Sequence, residues 1–345
     1  MACPITAAIV ALLAEVRGTF DPATLENALA ATANPNLFNN GASTFPYLAP
    51  VAQQGAGLVQ AYDAAYATTL VSVSSIAFND TANFVPFANF TLTNTGSETV
   101  YYHLSNVGAA TGYTFTPNDI VYPDVFPNVL TPIYATIDFV HGKRVRIPAG
   151  GSANVAFTLS PPDLPSTRLP VYGGYIAMNG SDGSTLSLPY QGVIGSMYEQ
   201  TVLDAANTYL TRSNSAAYTP VAANTTFTLP IGNSSANQTT IYPELVASMP
   251  FGSAQVRADL SPTGLSPYGS NVTTVFGVPT LGNIFGFPEI YVPRGLLVAD
   301  FDGMLENGAL VPAGSYSIVV RALRIFGDPA VAEDWMLART VPFTI

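Results

Sequence analysis

The chain has 345 residues, 10% of them charged and 48% apolar, with 18 Tyr and 19 Phe; this is material for two or three folded domains and excludes long disorder. Its net charge of −11, from 11 Lys plus Arg against 22 Asp plus Glu, opposes nucleic acid or an anionic membrane as a partner, since both need a basic surface. One cysteine, Cys3, excludes an internal disulfide framework and multi-cysteine metal sites, and no apolar run reaches the roughly 18 residues of a membrane span.

Residues 1–69 are Ala-rich and read as helical. Ala7, Val10, Ala11 and Ala14 share one face of a helix from about Pro4 to Val16, widened by Ile9, Leu12 and Leu13. With almost no polar residue on it, this helix is expected to be buried nearly all round. Its apolar length also suits a signal peptide. However, no Lys or Arg precedes it and no small-residue cleavage site ends it before Glu15-Val16-Arg17, so a buried helix is the better reading. Asp21 as N-cap and Pro22 at the first position announce a second helix, broken by Asn34-Pro35. A third is expected from Gly57 to about Tyr66, after a loop rich in Asn, Pro and Gly.

From Leu70 the period changes to two. Leu70–Ile76, Ala88–Thr93, Thr99–Asn106, Ser152–Leu159, Tyr172–Met178 and Ser184–Tyr190 alternate between turn residues, which predicts a β-sandwich over 70–198. The polar stretch 199–220 reads as a linker. Ala223–Ile231, Gln255–Leu260, Leu296–Phe301 and Tyr316–Leu323 then predict a second sandwich over 221–345, with turns at Asp302-Gly303, Asn307-Gly308 and Ala313-Gly314.

Few residues nominate chemistry. Asn-x-Ser/Thr sequons stand at Asn79, Asn89, Asn179, Asn224, Asn233, Asn237 and Asn271, all in the β-regions. Secretion with glycans on strand and loop surfaces is the functional reading; chance in a Ser/Thr-rich β-protein is the plain alternative. His103 falls in a strand-like run and His141 at a turn, neither near a Cys or a second His, so both read as structural or surface residues. Asp300-Phe301-Asp302-Gly303 with Glu306 lacks the spacing of an EF-hand loop and reads as a hairpin turn. No Ser has an adjacent base to make it a nucleophile. No metal site and no cofactor is expected.

One motif carries a resemblance. Met1-Ala2-Cys3-Pro4, entering a small-residue apolar helix, resembles the end of the Gly-Thr-Ser-Met-Ala-x-Pro signature of subtilisin-like serine proteases, with Ile5 where the family often has His. Phe20-Asp21-Pro22 through Leu25, Ala28 and Leu29 to Thr32-Ala33 resembles the family's next helix. Gln54-Gly55-Ala56-Gly57-Leu58-Val59-Gln60-Ala61-Tyr62 resembles the segment that closes its catalytic domain. Phe90 to Gly96 followed by Thr99-Val100-Tyr101 looks like the opening of a fibronectin-III-like domain, as in the C5a-peptidase type and many fungal secreted members. Val311-Pro312-Ala313-Gly314-Ser315-Tyr316 looks like part of a later one.

The resemblance implies a mainly β fold: residues 1–69 as the last helices of an α/β catalytic domain, followed by two fibronectin-III or immunoglobulin-like sandwiches. The family's triad runs Asp, His, Ser along the chain, and its Ser would immediately precede Met1. No residue here inherits a catalytic role, and Met1, Ala2, Cys3 and Pro4 inherit only the start of the helix that positions the nucleophile. The helices would expose the faces that the family buries against its parallel sheet. The resemblance further implies an extracellular or cell-wall location, and a protein or peptide substrate reached through the parent protease. A different class, a non-catalytic glycoprotein recognising a cell-wall or surface component through exposed Tyr and Phe, stays open, although one Trp, Trp335, is few for a sugar platform. So does an inactive remnant, which predicts poor folding of residues 1–66.

Overall fold

Alternation from residue 70 onward dominates the computed structural model, which describes residues 2–229, 241–263 and 272–345. The chain is mainly β, with its helices near the N-terminus, and divides into two units.

The first unit comprises Met1–Ile120 and Asp124–Ser196. Its helices are α1 (Ala2–Arg17), α2 (Pro22–Thr32), α3 (Val51–Gln54) and α4 (Ala61–Tyr66). Its strands are β1 (Leu37–Asn39), β2 (Thr44–Leu48), β3 (Thr69–Val71), β4 (Ile76–Ala77), β5 (Phe87–Asn94) and β6 (Val100–Tyr113). They continue as β7 (Leu130–Thr131), β8 (Thr136–Phe139), β9 (Arg144–Ile147), β10 (Ser152–Ser160), β11 (Pro170–Gly180) and β12 (Thr185–Val193). One sheet runs β1-β2-β6-β11-β12-β4, with β7 and β9 also on β6; it faces a sheet in the order β3-β5-β10-β8. Period two explains the filling: Phe90 and Leu92 of β5 meet Val155, Phe157 and Leu159 of β10, and Leu104, Ile176 and Leu188 come from the other sheet. Asn94 is the buried polar residue that closes the Asn94-Thr95-Gly96 turn. Its Nδ2 donates to Glu98 O (2.7 Å) and Pro148 O (3.2 Å), and its Oδ1 accepts from the Gly96 N–H (2.9 Å).

The N-terminal segment departs from its reading in three ways. It is part of the first unit: α2 packs on β12 through Ala31, and Ser74 Oγ donates to Glu26 Oε1 (2.7 Å). Its Asn-rich loop holds β1 and β2, which extend the first sheet through Leu48 beside Ala109 of β6. The third helix starts later, at Ala61, because Gly57 takes φ +114° and the Asn34 and Leu58 backbones exchange hydrogen bonds there (2.9 and 2.8 Å). Asp21 caps α2 as expected, its Oδ2 accepting from the Thr24 N–H at 2.9 Å.

The second unit comprises Val121–Pro123 and Met197–Ile345. Its strands are β13 (Asp204–Arg212), β14 (Thr225–Thr226), β15 (Pro243–Met249), β16 (Ser253–Pro262), β17 (Thr273–Val275) and β18 (Val278–Thr280). They continue as β19 (Glu289–Val292), β20 (Gly295–Asp300), β21 (Ser315–Leu323), β22 (Trp335–Arg339) and β23 (Phe343–Thr344). A sheet β13-β15-β20 faces a sheet β14-β23-β21-β16-β19, with β22 on β21; β17 and β18 form a hairpin.

The supposed linker 199–220 is corrected: it contains β13, a full partner of β15, and Val202, Leu203 and Leu210 are core residues. Polar residues outnumber its large apolar ones, and that hid the strand. Of the expected strand Ala223–Ile231, only Thr225–Thr226 is a strand among the described residues. Tyr316 opens β21 fully buried, and its hydroxyl donates to Pro312 O four residues back (2.6 Å). This is a tyrosine-corner arrangement that gives the Pro-x-Gly-x-Tyr turn its physical purpose.

Candidate functional site

Ala2, Cys3 and Pro4 form the exposed first turn of α1; Met1 lies outside the described residues. The helix is not buried all round. Leu13 and Ala14 pack with Leu25 and Ala28 of α2 and Ala64 of α4 in a small satellite core. Arg17 secures it, donating from Nε to Ala64 O (2.7 Å) in α4 and from Nη2 to the O of Ala67 (3.2 Å), the residue that caps α4. The neighbouring stripe of α1, Ile5, Ile9, Leu12 and Val16, follows the helical period. Ile5, Leu12 and Val16 are 58%, 59% and 46% exposed, and Phe20, Tyr62 and Tyr66 are exposed as well. Burying a whole side chain of this kind is worth about 1.5–3 kcal/mol, so each half-exposed one leaves roughly 1 kcal/mol unrealised. Chemically, this face can dock an apolar surface.

The Gln-Gly-Ala-Gly segment is tied to the preceding loop and to the sandwich. Gln54 Nε2 donates to Ala49 O (2.9 Å) and Asn36 O (3.2 Å), and its Oε1 accepts from the Asn36 N–H (2.8 Å). Gly55 O accepts from the buried Tyr175 hydroxyl of β11 (2.8 Å). Burial pushes the Tyr172, Tyr175 and Tyr190 hydroxyls well above the usual phenol range.

Asn79, Asn89, Asn179 and Asn224 are all exposed, on four separate loops or strands. Asn79 and Asn224 adopt left-handed backbone, φ 53° and 61°, which Asn tolerates better than most residues. Asn233, Asn237 and Asn271 lie outside the described residues. His103 is exposed on β6 opposite Arg144 of β9, and His141 is exposed at the turn between β8 and β9. Among the described residues, no Ser, Thr or Cys is hydrogen-bonded to either histidine. Asp302 Oδ1 accepts from the Met304 N–H (3.0 Å) and Glu306 Oε2 from the Gly286 N–H (2.8 Å), so both serve turns. A cleft of about 400 Å³ in the first unit is lined by Thr32, Asn34, Gln60, Asp63, Tyr175 and Ser187 among others. Its lining offers the one carboxylate of Asp63 and no His, Cys or Lys.

Sequence reasoning missed a buried charge network in the second unit. Arg257 and Arg321 stand opposite each other on β16 and β21, with Asp259 between them. Asp259 accepts from Arg257 (Nη2, 2.8 Å; Nε, 3.3 Å) and from Arg321 Nη1 (2.8 Å). Arg321 Nη2 also reaches Val275 O (3.0 Å) in the β17–β18 hairpin above it. The signal was present as two Arg and an Asp on the polar parity of apolar strands, but burial there depends on the hairpin.

Residues 76–191 match the family described as an Fn3-like domain. The chain is 38% identical over 66 residues to a PII-type proteinase of Lactococcus lactis subsp. cremoris and to one of Lacticaseibacillus paracasei. Each match covers 19% of this chain and 3% of the relative. Among solved structures, a human PapD-like domain matches with 17% identity over 37% of this chain and 84% of its own length, at a TM-score of 0.26, and nothing about this chain follows from it. The first β-region is thus an Fn3-like domain, in a chain with partial similarity to bacterial proteinases.

Proposed function

We propose that this chain is the C-terminal accessory part of a subtilisin-like serine endopeptidase. In this reading α1 continues directly from the nucleophile, and its open apolar stripe packs against the catalytic domain. The observation that carries it is that stripe: Ile5, Leu12 and Val16 exposed on the helix that bears the Met-Ala-x-Pro motif. A lone accessory domain has no reason to keep apolar side chains there, whereas a helix cut from an α/β domain does. The partial similarity to bacterial proteinases and the Fn3-like domain support the same reading.

The parent would cleave peptide bonds by Ser attack with His as general base through an acyl-enzyme. This chain supplies none of the triad; it ties the nucleophile helix to α4 through Arg17 and adds two sandwiches. Its substrate is a protein or peptide reached through the parent, its place is outside the cell or in the cell wall, and the exposed sequons Asn79, Asn89, Asn179 and Asn224 carry glycans. Sequencing the encoding transcript upstream of Met1 tests this. A frame continuing through Gly-Thr-Ser, with Asp and His motifs further back, is the expected result. A transcript that starts at Met1 overturns it.

A further inference from the structure

Among the described residues, β20 ends the sheet β13-β15-β20 and pairs on one side only, with β15. The Phe301 N–H donates to Pro243 O, its partner in the register, at 3.0 Å. In an antiparallel ladder, residues that bond one neighbour alternate with residues whose N–H and C=O face the other way. Gly295, Leu297 and Ala299 therefore bond β15, and Leu296, Val298 and Asp300 present their backbone groups at the open edge. Natural edges are blunted by Lys, Pro or a bulge. β20 has none of these, and its register with β15 is unbroken from Gly295 to Asp300.

The side chains of the same parity, Leu296, Val298 and Asp300, are exposed, as is Arg294 just before the strand. Their order reads the same in both directions once charge is exchanged. Turned about Leu297, Arg294 falls opposite Asp300 and Leu296 opposite Val298. Leu296, Val298 and Asp300 have the parity whose backbone groups are open, and Arg294 lies one residue before the strand, so the register that brings Leu296 opposite Val298 also matches the hydrogen bonds and brings Arg294 to the level of Asp300. Asp300 lies beside Glu244, its register partner on β15, so two carboxylates are neighbours there. Among the described residues Arg294 makes no ion pair.

We propose that the open edge of β20 is a self-association surface, on which β20 of a second copy of this chain adds antiparallel about a two-fold axis at Leu297. The two three-stranded sheets become one of six strands, an isologous contact in which each copy gives and receives the same groups. The partner's guanidinium reaches the Asp300 carboxylate, relieving its repulsion with Glu244.

Sedimentation velocity of the full chain over a wide concentration range tests this, and a reversible monomer–dimer equilibrium is expected. Arg294→Glu and Asp300→Arg each weaken the dimer by about tenfold or more, because like charges then meet twice. The double variant Arg294→Glu/Asp300→Arg restores it. In a Cys3→Ser background, Leu297→Cys forms a disulfide-linked dimer under mild oxidation, because residue 297 faces itself, and Leu296→Cys does not. A chain that stays monomeric overturns the proposal. So does a dimer indifferent to both charge reversals, one that the double variant fails to rescue, or one abolished instead by Leu12→Glu on α1.

Discussion

Replacing Asp259 by Asn tests whether charge, rather than shape, holds the second unit together. Asn matches Asp in size, so packing is kept. The Asp259 side chain is 0% exposed and that of Arg321 2%, whereas Arg257 keeps 22%. Burial pulls the Arg321 guanidinium below its usual value, Asp259 opposes that, and Arg257 and Arg339 add to it. Removing the one carboxylate leaves a buried cation without its counter-charge, and an amide N–H directed at guanidinium donors. Breaking a buried pair from one side costs about 3–5 kcal/mol. For a unit of about 150 residues, that lowers Tm by roughly 6–20 °C. Scanning calorimetry of the full chain reads this as a shift in the transition of the second unit. Replacing both partners, Asp259→Leu with Arg321→Met, removes the stranded charge and leaves Arg257 free to turn to solvent, so it recovers more than half of the loss. A loss below about 1 kcal/mol for Asp259→Asn, or a double variant no better than the single one, would refute the reasoning.

Further outcomes follow from single positions. Gly57→Ala places a Cβ 2.3 Å from Asn34 O at φ +114°; backbone strain alone costs about 1–3 kcal/mol, and limited proteolysis should open residues 34–58 first. Tyr316→Phe removes the buried tyrosine's hydrogen bond to the exposed Pro312 carbonyl, which water can then reach, and lowers stability by about 0.5–1.5 kcal/mol in urea unfolding. The Tyr172, Tyr175 and Tyr190 hydroxyls ionise later folded than unfolded. Their contribution is complete below the pH at which free tyrosine ionises and fades as pH rises beyond it. Phenolate absorbance for these three should appear only as circular dichroism reports unfolding of the first unit; smooth ionisation of every tyrosine in a folded chain would contradict the burial. Leu12→Lys with Val16→Lys should cost at most about 2 kcal/mol in stability, since each side chain is about half exposed, and reduce binding of an apolar dye, as expected if the stripe faces water.

How much of this was legible depended on whether a residue's role was local. Asp21-Pro22 announced its helix because capping is a contact between residues three apart. Alternation located β5, β10, β11, β12, β16 and β21 because one sheet face filters water from core in any context. The motif at Pro312 to Tyr316 was legible as a turn, and the structure supplied its hydrogen bond.

Other features depend on residues far away in the chain. β13 carries few apolar residues and became a strand because β15 offered an edge. The helix α1 is apolar on two neighbouring faces, and its sequence alone implied burial of both. Only packing revealed that α2 and α4 cover one, since coverage belongs to the pair of surfaces and not to either. Asp259 and its two arginines sit on the parity that usually meets water, and the β17–β18 hairpin took that water away. The charge palindrome around Leu297 was always written in the chain. It acquired meaning once the sheet left β20 at an edge, because hydrogen-bond parity exists only relative to a neighbouring strand.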